Sequence, residues 1–153
     1  MQVTENTESK PVMRRIVVDS LPNPTSSHHP HCVVAGGLVF VSGLVAERRI
    51  DGSRVGVEDG PNGRVHHLRD QMLSIFHQLD VILEAAGSNK SLVVDVQVFL
   101  LGMQENFQIM NDIYGTYFGD AIPARTTVEV VRFPSDVVVE LKVVATVGNS
   151  AHV

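Results

Sequence analysis

From Val137 to Val147 the chain alternates between two kinds of side chain. Val137, Val139, Leu141, Val143, Ala145 and Val147 fall on one face of an extended strand, and Val138, Glu140, Lys142, Val144 and Thr146 fall on the other, because successive strand side chains point to opposite faces. The first set suits a core. The second is too apolar for open solvent and too polar for a second core. It reads either as a half-solvated sheet with scattered valines or as a subunit interface that also holds a site. The interface, and with it an oligomer, is the expectation.

The rest of the chain supplies a cover for one face. Leu68, Met72, Ile75, Leu79, Ile82 and Ala86 recur at helical spacing and predict a helix over 66–86, with Gly87 as its stop. A second helix is predicted from Gln104 to Phe118, with Phe107, Met110, Tyr114 and Tyr117 along one side and Gly119 closing it. Strands are predicted at 14–19, 31–35, 38–42, 91–101, 126–131 and 137–147, with Gly36-Gly37 turning between the second and third. Residues 47–62, rich in charge and glycine, read as a solvent loop or a long hairpin. The resulting order, β-β-β-α-β-α-β-β, is an α+β arrangement whose two helices cover one face of a sheet. Residues 1–13 are expected to form a flexible leader, 14–148 a single domain and 149–153 a tail.

Composition narrows the function classes. A chain of 153 residues is one domain's worth. Its net charge of −5, without a run of lysines or arginines, argues against nucleic acid as the main partner. No apolar stretch approaches the ~20 residues needed to span a bilayer. The single cysteine, Cys32, and a polar Met1–Lys10 segment suit a reducing compartment, so a cytoplasmic protein is expected. Glycine-rich phosphate-binding motifs and the G-x-S-x-G of serine hydrolases are absent.

Charged residues among valines mark the candidate site. Arg125 follows Pro123-Ala124 at the mouth of a strand, where a guanidinium can clamp a carboxylate through two hydrogen bonds. A structural ion pair with Glu129, on the same strand face, explains it equally well. Glu140 is flanked by apolar residues, and burial raises a carboxyl's proton affinity toward the range useful for proton transfer. Its structural alternative is an ion pair with Lys142 or Arg132. His28, His29 and His31 surround Pro30, but no cysteine or acid stands at ligand spacing. No metal site is therefore expected, and a proton-transfer role for one of these histidines suits the pattern better. Asn111, beside the apolar Met110 on the second helix, is either a ligand donor or a solvated helix edge. Arg48-Arg49 is a second cationic candidate, or a solvated turn.

Gly36-Gly-Leu-Val-Phe-Val-Ser-Gly43, Ile82-Leu-Glu-Ala-Ala-Gly87, Met110-Asn-Asp-Ile-Tyr114, Pro123-Ala-Arg-Thr-Thr-Val-Glu-Val130 and Val139-Glu-Leu-Lys-Val-Val-Ala145 occur in an order that resembles the RidA/YjgF family over about residues 28–147. The resemblance implies a chorismate-mutase-like α+β fold, a homotrimer with clefts between subunits, and cofactor-free hydrolysis of enamines or imines to a keto acid and ammonia. It also implies that Arg125 holds the substrate carboxylate and Glu140 places or activates water. Asn111 and Ser42 match further cleft residues. The chain departs from the ordinary pattern at His29, where a tyrosine is usual, at Leu44 in place of glutamine and at Thr127 in place of cysteine. Pro30-His31, Arg48-Arg49 and the long 47–64 insertion are more similar to the 2-aminomuconate deaminase branch, which acts on a dicarboxylic enamine in the breakdown of aromatic amines. In that branch His29, His31 and Arg49 would join the substrate-binding set, with a cation at Arg48 or Arg49 for the second carboxylate.

Overall fold

In a computed structural model of the chain, residues 12–24, 28–49 and 51–148 are described. The expected leader is therefore represented only by Val12 and Met13, and the expected tail lies outside the described residues. The strands are β1 (Arg14–Ile16), β2 (Cys32–Ala35), β3 (Leu38–Val41), β4 (Val57–Gly60), β5 (Gly63–His66), β6 (Val93–Leu100), β7 (Ala124–Glu129) and β8 (Val139–Thr146). The helices are α1 (Leu68–Ala85) and α2 (Met103–Phe118). Six strands form one sheet in the order β1-β2-β3-β8-β6-β7, and β4-β5 form a separate hairpin. All pairings in the large sheet are antiparallel except β6 with β7. The sheet is mixed, and the fold is α+β.

The core lies between the sheet and the two helices. Met72, Ile75, Leu79 and Ile82 of α1 meet Val139, Leu141, Val143 and Ala145 of β8, all fully buried. The stripe predicted for α1 is thus its core face. On α2 the buried positions are Met110, Ile113, Tyr114 and Phe118, whereas Phe107 is exposed. The helical stripe is therefore rotated away from Phe107, with Ile113 in its place.

Several predicted boundaries move, most by one or two residues. Of the two readings of 47–62, the hairpin holds: residues 57–66 form β4-β5, so His66, expected in the helix, ends a strand and α1 begins at Leu68. The first strand stops at Ile16. The strand predicted from Thr126 begins at Ala124, because Ala124 and Arg125 already pair with Asp95 and Val96 of β6.

Register separates the two faces of the sheet. Val143–Val96–Arg125, Leu141–Val98–Thr127 and Val139–Leu100–Glu129 line up on the helix side. Lys142–Gln97–Thr126 and Glu140–Phe99–Val128 line up on the open side, where Phe40 and Val144 are also paired. The alternation read from residues 137–147 holds over β8, from Val139 to Thr146; Val138, expected on the open face, is buried in the core before the strand begins. The open face keeps exposed Phe40 and Val128 beside polar groups, and no element of the described residues covers it.

Candidate active site

Glu140 stands on the open face of β8, directly across from Phe99. With His29, Ser42, Gly43, Gln97, Phe99 and Lys142 it lines an open pocket. Burial alone pushes its carboxyl above the ordinary value of 4.5, because the low-dielectric surround disfavours the charged form. Neither expected ion pair forms among the described residues. Lys142, two residues on, donates its ammonium to Val41 O instead, and burial lowers its own proton affinity. Gly43 gives Glu140 its space: a β-carbon there would overlap Glu140 Oε1. The last turn of the Gly36–Gly43 segment is thus shaped around the carboxylate.

Arg125 sits elsewhere. Its register partner Val96 faces the helices, and its guanidinium lies against α2. Nη1 donates to Asn111 Oδ1 at 2.9 Å, and the guanidinium carbon stands 4.7 Å from the Tyr114 ring centroid. Both partners are neutral, so they orient the fork without cancelling its charge. The alternative partner, Glu129, is engaged at the start of α2, where Oε1 accepts the Met103 N–H at 2.8 Å. That helix begins after Gly102 without a side-chain cap of its own, and Glu129 supplies one from the neighbouring strand. The Tyr114 hydroxyl is buried with no partner among the described residues. Burial, first of all, pushes its pKa up to about 12.

The structure therefore groups the site residues into two clusters on opposite sides of the sheet. Glu140, Ser42 and His29 share the open face, while Arg125 and Asn111 share the β7 edge. Within one chain they do not meet. Ser42 Oγ donates to Pro30 O at 2.6 Å, which ties the histidine loop to β3. His31 is committed to the fold: the Val18 N–H donates to Nδ1 at 2.9 Å, and Nε2 lies 3.0 Å from Pro22 O. Both ring nitrogens serve the backbone and the residue is 5% exposed, so His31 has a structural role at the border of the cavity it helps to line. Arg49 lies in the tight turn 49–53, exposed, away from the Glu140 pocket. Cys32 is buried, and burial pushes its thiol up, the wrong direction for a nucleophile.

One residue escaped the sequence reading. Arg54 lines a cavity of ≈200 Å³ together with Arg48, His29, Ser42 and Gly43. Its place in a charged stretch without periodicity gave no sign of this.

A sequence model of the family described as Endoribonuclease L-PSP matches residues 20–147. The chain belongs to this family, the RidA/YjgF group. A RutC family protein of Pyrococcus horikoshii is 32% identical over 130 residues, covering 85% of this chain and 94% of that one. A 2-iminobutanoate/2-iminopropanoate deaminase of Dermatophagoides farinae is 27% identical, covering 84% and 93%. Among solved structures, a protein of unknown function of the conserved Rid family from Yersinia pestis superposes with a TM-score of 0.76 at 27% identity, covering 89% and 100%. The RidA family thus includes imine deaminases, and its fold is the one described here.

Proposed function

We propose that the protein is a cofactor-free deaminase that hydrolyses the enamine or imine of an unsaturated amino acid to a keto acid and ammonia. The substrate class is a dicarboxylate such as 2-aminomuconate, and the working form is a homotrimer. The observation that carries this reading is Glu140, a half-buried carboxylate with raised proton affinity and no ion pair among the described residues. A second copy laid on the open face would bring its β7 edge, with Arg125 and Asn111, toward Glu140. The exposed apolar residues on that face support such a contact.

The chemistry balances without further reagents. An enamine first gains a proton at carbon, from Glu140 in its acid form, and becomes the imine while nitrogen returns a proton to solvent. Arg125 holds the α-carboxylate. Water adds to the imine carbon as the Glu140 carboxylate takes its proton, and the C=N electron pair moves to nitrogen. The Glu140 proton passes to nitrogen to give the carbinolamine. Nitrogen takes a second proton from solvent, the hydroxyl returns one to Glu140 as its oxygen pair forms the carbonyl, and the C–N bond breaks with its electrons leaving on ammonia. Clamping and proton transfer are the two contributions asked of the protein.

The test is ammonia release from freshly generated 2-aminomuconate and from 2-aminoacrylate, with wild type and Arg125→Ala. Fast, arginine-dependent release from the dicarboxylate is expected. Release from aminoacrylate alone would assign the general 2-imino acid activity of the family. Carboxylate binding with release from neither would make the protein a non-catalytic ligand-binding trimer.

A further inference from the structure

Between β3 and β4 two arginines are set against each other. Arg48 and Arg54 are partners in an isolated antiparallel bridge, and like charges directly opposite in a sheet are unfavourable. Arg48 is exposed and donates to Gly52 O at 3.0 Å. Arg54 is half-buried and has neither a hydrogen bond nor an ion pair among the described residues. The carboxylate in its field, Asp136, is already engaged, by Arg64 on Oδ2 and by His66 at 2.6 Å on Oδ1. Burial first, then Arg48, press on the Arg54 charge, yet a guanidinium keeps its proton in a protein. A partly buried cation whose neighbouring carboxylate is already shared by two other groups gains from a further anion.

The surroundings indicate where that anion belongs. Arg48 and Arg54 border two hollows: one with Asp59 and Asp136, already supplied with acids, and one with His29, Ser42 and Gly43, three residues that also line the pocket that contains Glu140. This second hollow and the Glu140 pocket are neighbours across one wall. Glu47 also borders the arginine cavity, but it makes no ion pair with either arginine among the described residues. Gln78 stiffens the cavity, donating from Nε2 to Val45 O at 2.8 Å.

We infer that Arg54, with Arg48 beside it, is a second anion subsite that takes the distal carboxylate of a dicarboxylic imine reacting at Glu140. For the reacting end this rests on the deaminase reading above. Of the two cations the sequence suggested for the second carboxylate, Arg48 and Arg49, it keeps Arg48 and adds Arg54 in place of Arg49.

The test uses two imines of equal chain length, generated in place by an amino-acid oxidase: 2-iminoadipate, with a distal carboxylate, and 2-iminohexanoate, without one. Wild type is expected to favour iminoadipate at least ~10-fold in kcat/KM. Arg54→Gln should bring that ratio close to one, and Arg54→Lys should recover part of it. Arg69→Gln, the same charge change on the helical layer, should keep it. A ratio that survives Arg54→Gln, or collapses only in Arg49→Gln, overturns the assignment. Should Arg54→Gln fail to fold, Arg48→Gln reads the same ratio, and no change there overturns it as well. Calorimetry with adipate and hexanoate separates binding from chemistry. If neither imine is turned over the deaminase reading falls; adipate binding ~10-fold tighter than hexanoate, with the margin lost in Arg54→Gln, would still uphold the subsite. Equal binding of the two acids would overturn it.

Discussion

The open face around Glu140 and the β7 edge around Arg125 hold their charges in opposite ways. Arg125 is oriented by two neutral partners, the Asn111 amide oxygen and the Tyr114 ring. Glu140 has no cationic partner among the described residues, and its basic neighbour on the strand is turned to a backbone carbonyl. The difference is what two separate tasks require. A group that must bind an anion benefits from being aimed while keeping its full charge. A group that must accept and return a proton benefits from having nothing nearby that fixes its charge state.

Breaking the open-face half should produce the larger effect. Glu140→Gln keeps size and hydrogen-bonding capacity but cannot take a proton, so kcat should fall ~10²–10⁴-fold with KM little changed. Steady-state kinetics on the preferred imine checks this, and a rise in KM with kcat intact would assign Glu140 to binding alone. Arg125→Ala removes a charge-assisted contact to the substrate carboxylate. A loss of roughly 10²-fold in kcat/KM is expected, with the oligomer unchanged by sedimentation. Dissociation of the oligomer in that variant would make Arg125 a structural residue.

How far the sequence reveals this arrangement depends on the kind of signal. The two faces of β8 are written in a period of two from Val139 to Thr146, and the α1 stripe in steps of three and four; both survive folding because burial enforces them. Arg125 and Glu140 stand out as charges in apolar strands. Their separation onto opposite faces does not, since it depends on β6 pairing parallel with β7 and antiparallel with β8. His31 and Arg54 are illegible for a different reason. Loop backbone at Val18 and Pro22 decides the first, and a cross-strand bridge inside an irregular stretch decides the second. The β4-β5 hairpin did carry a local sign, the Asn62-Gly63 turn pair. Its strands have so few apolar residues that a solvent loop and a long hairpin fitted it equally.

Smaller changes sharpen the comparison by leaving both charges in place. Gly43→Ala puts a methyl group where Glu140 Oε1 lies. The carboxylate must swing away, so kcat should drop by about tenfold, with ~1–3 kcal/mol lost in stability from overpacking. Urea denaturation and kinetics measured together test it, and an active, undisturbed variant would show that Glu140 is not held where its function needs it. Asn111→Ala frees one side of the guanidinium. A rise in KM of several-fold is expected, with ~1 kcal/mol or less of stability lost for one exposed hydrogen bond. A fall in kcat at constant KM would instead place Asn111 at the reacting atoms.

The smallest effect is on stability and comes from Glu140 alone. Burial holds its carboxyl above the ordinary value of 4.5, so the folded chain keeps a proton that the unfolded chain has already released. Across the window from the ordinary value up to the raised one, the native state binds more protons, and stability must fall as pH rises. Above that window the cost is fully present; below the ordinary value it is absent. Glu140→Gln removes it. The variant should therefore melt above wild type at neutral pH, with the margin closing as the pH is lowered past the ordinary carboxylate range. Scanning calorimetry at both ends of the window decides the sign. A wild type more stable than the variant at neutral pH would mean that Glu140 has a cationic partner in solution. The partner that would complete the site is Arg125 of a neighbouring copy, and the double variant Arg125→Ala with Glu140→Gln would then lose less stability than the sum of the single changes.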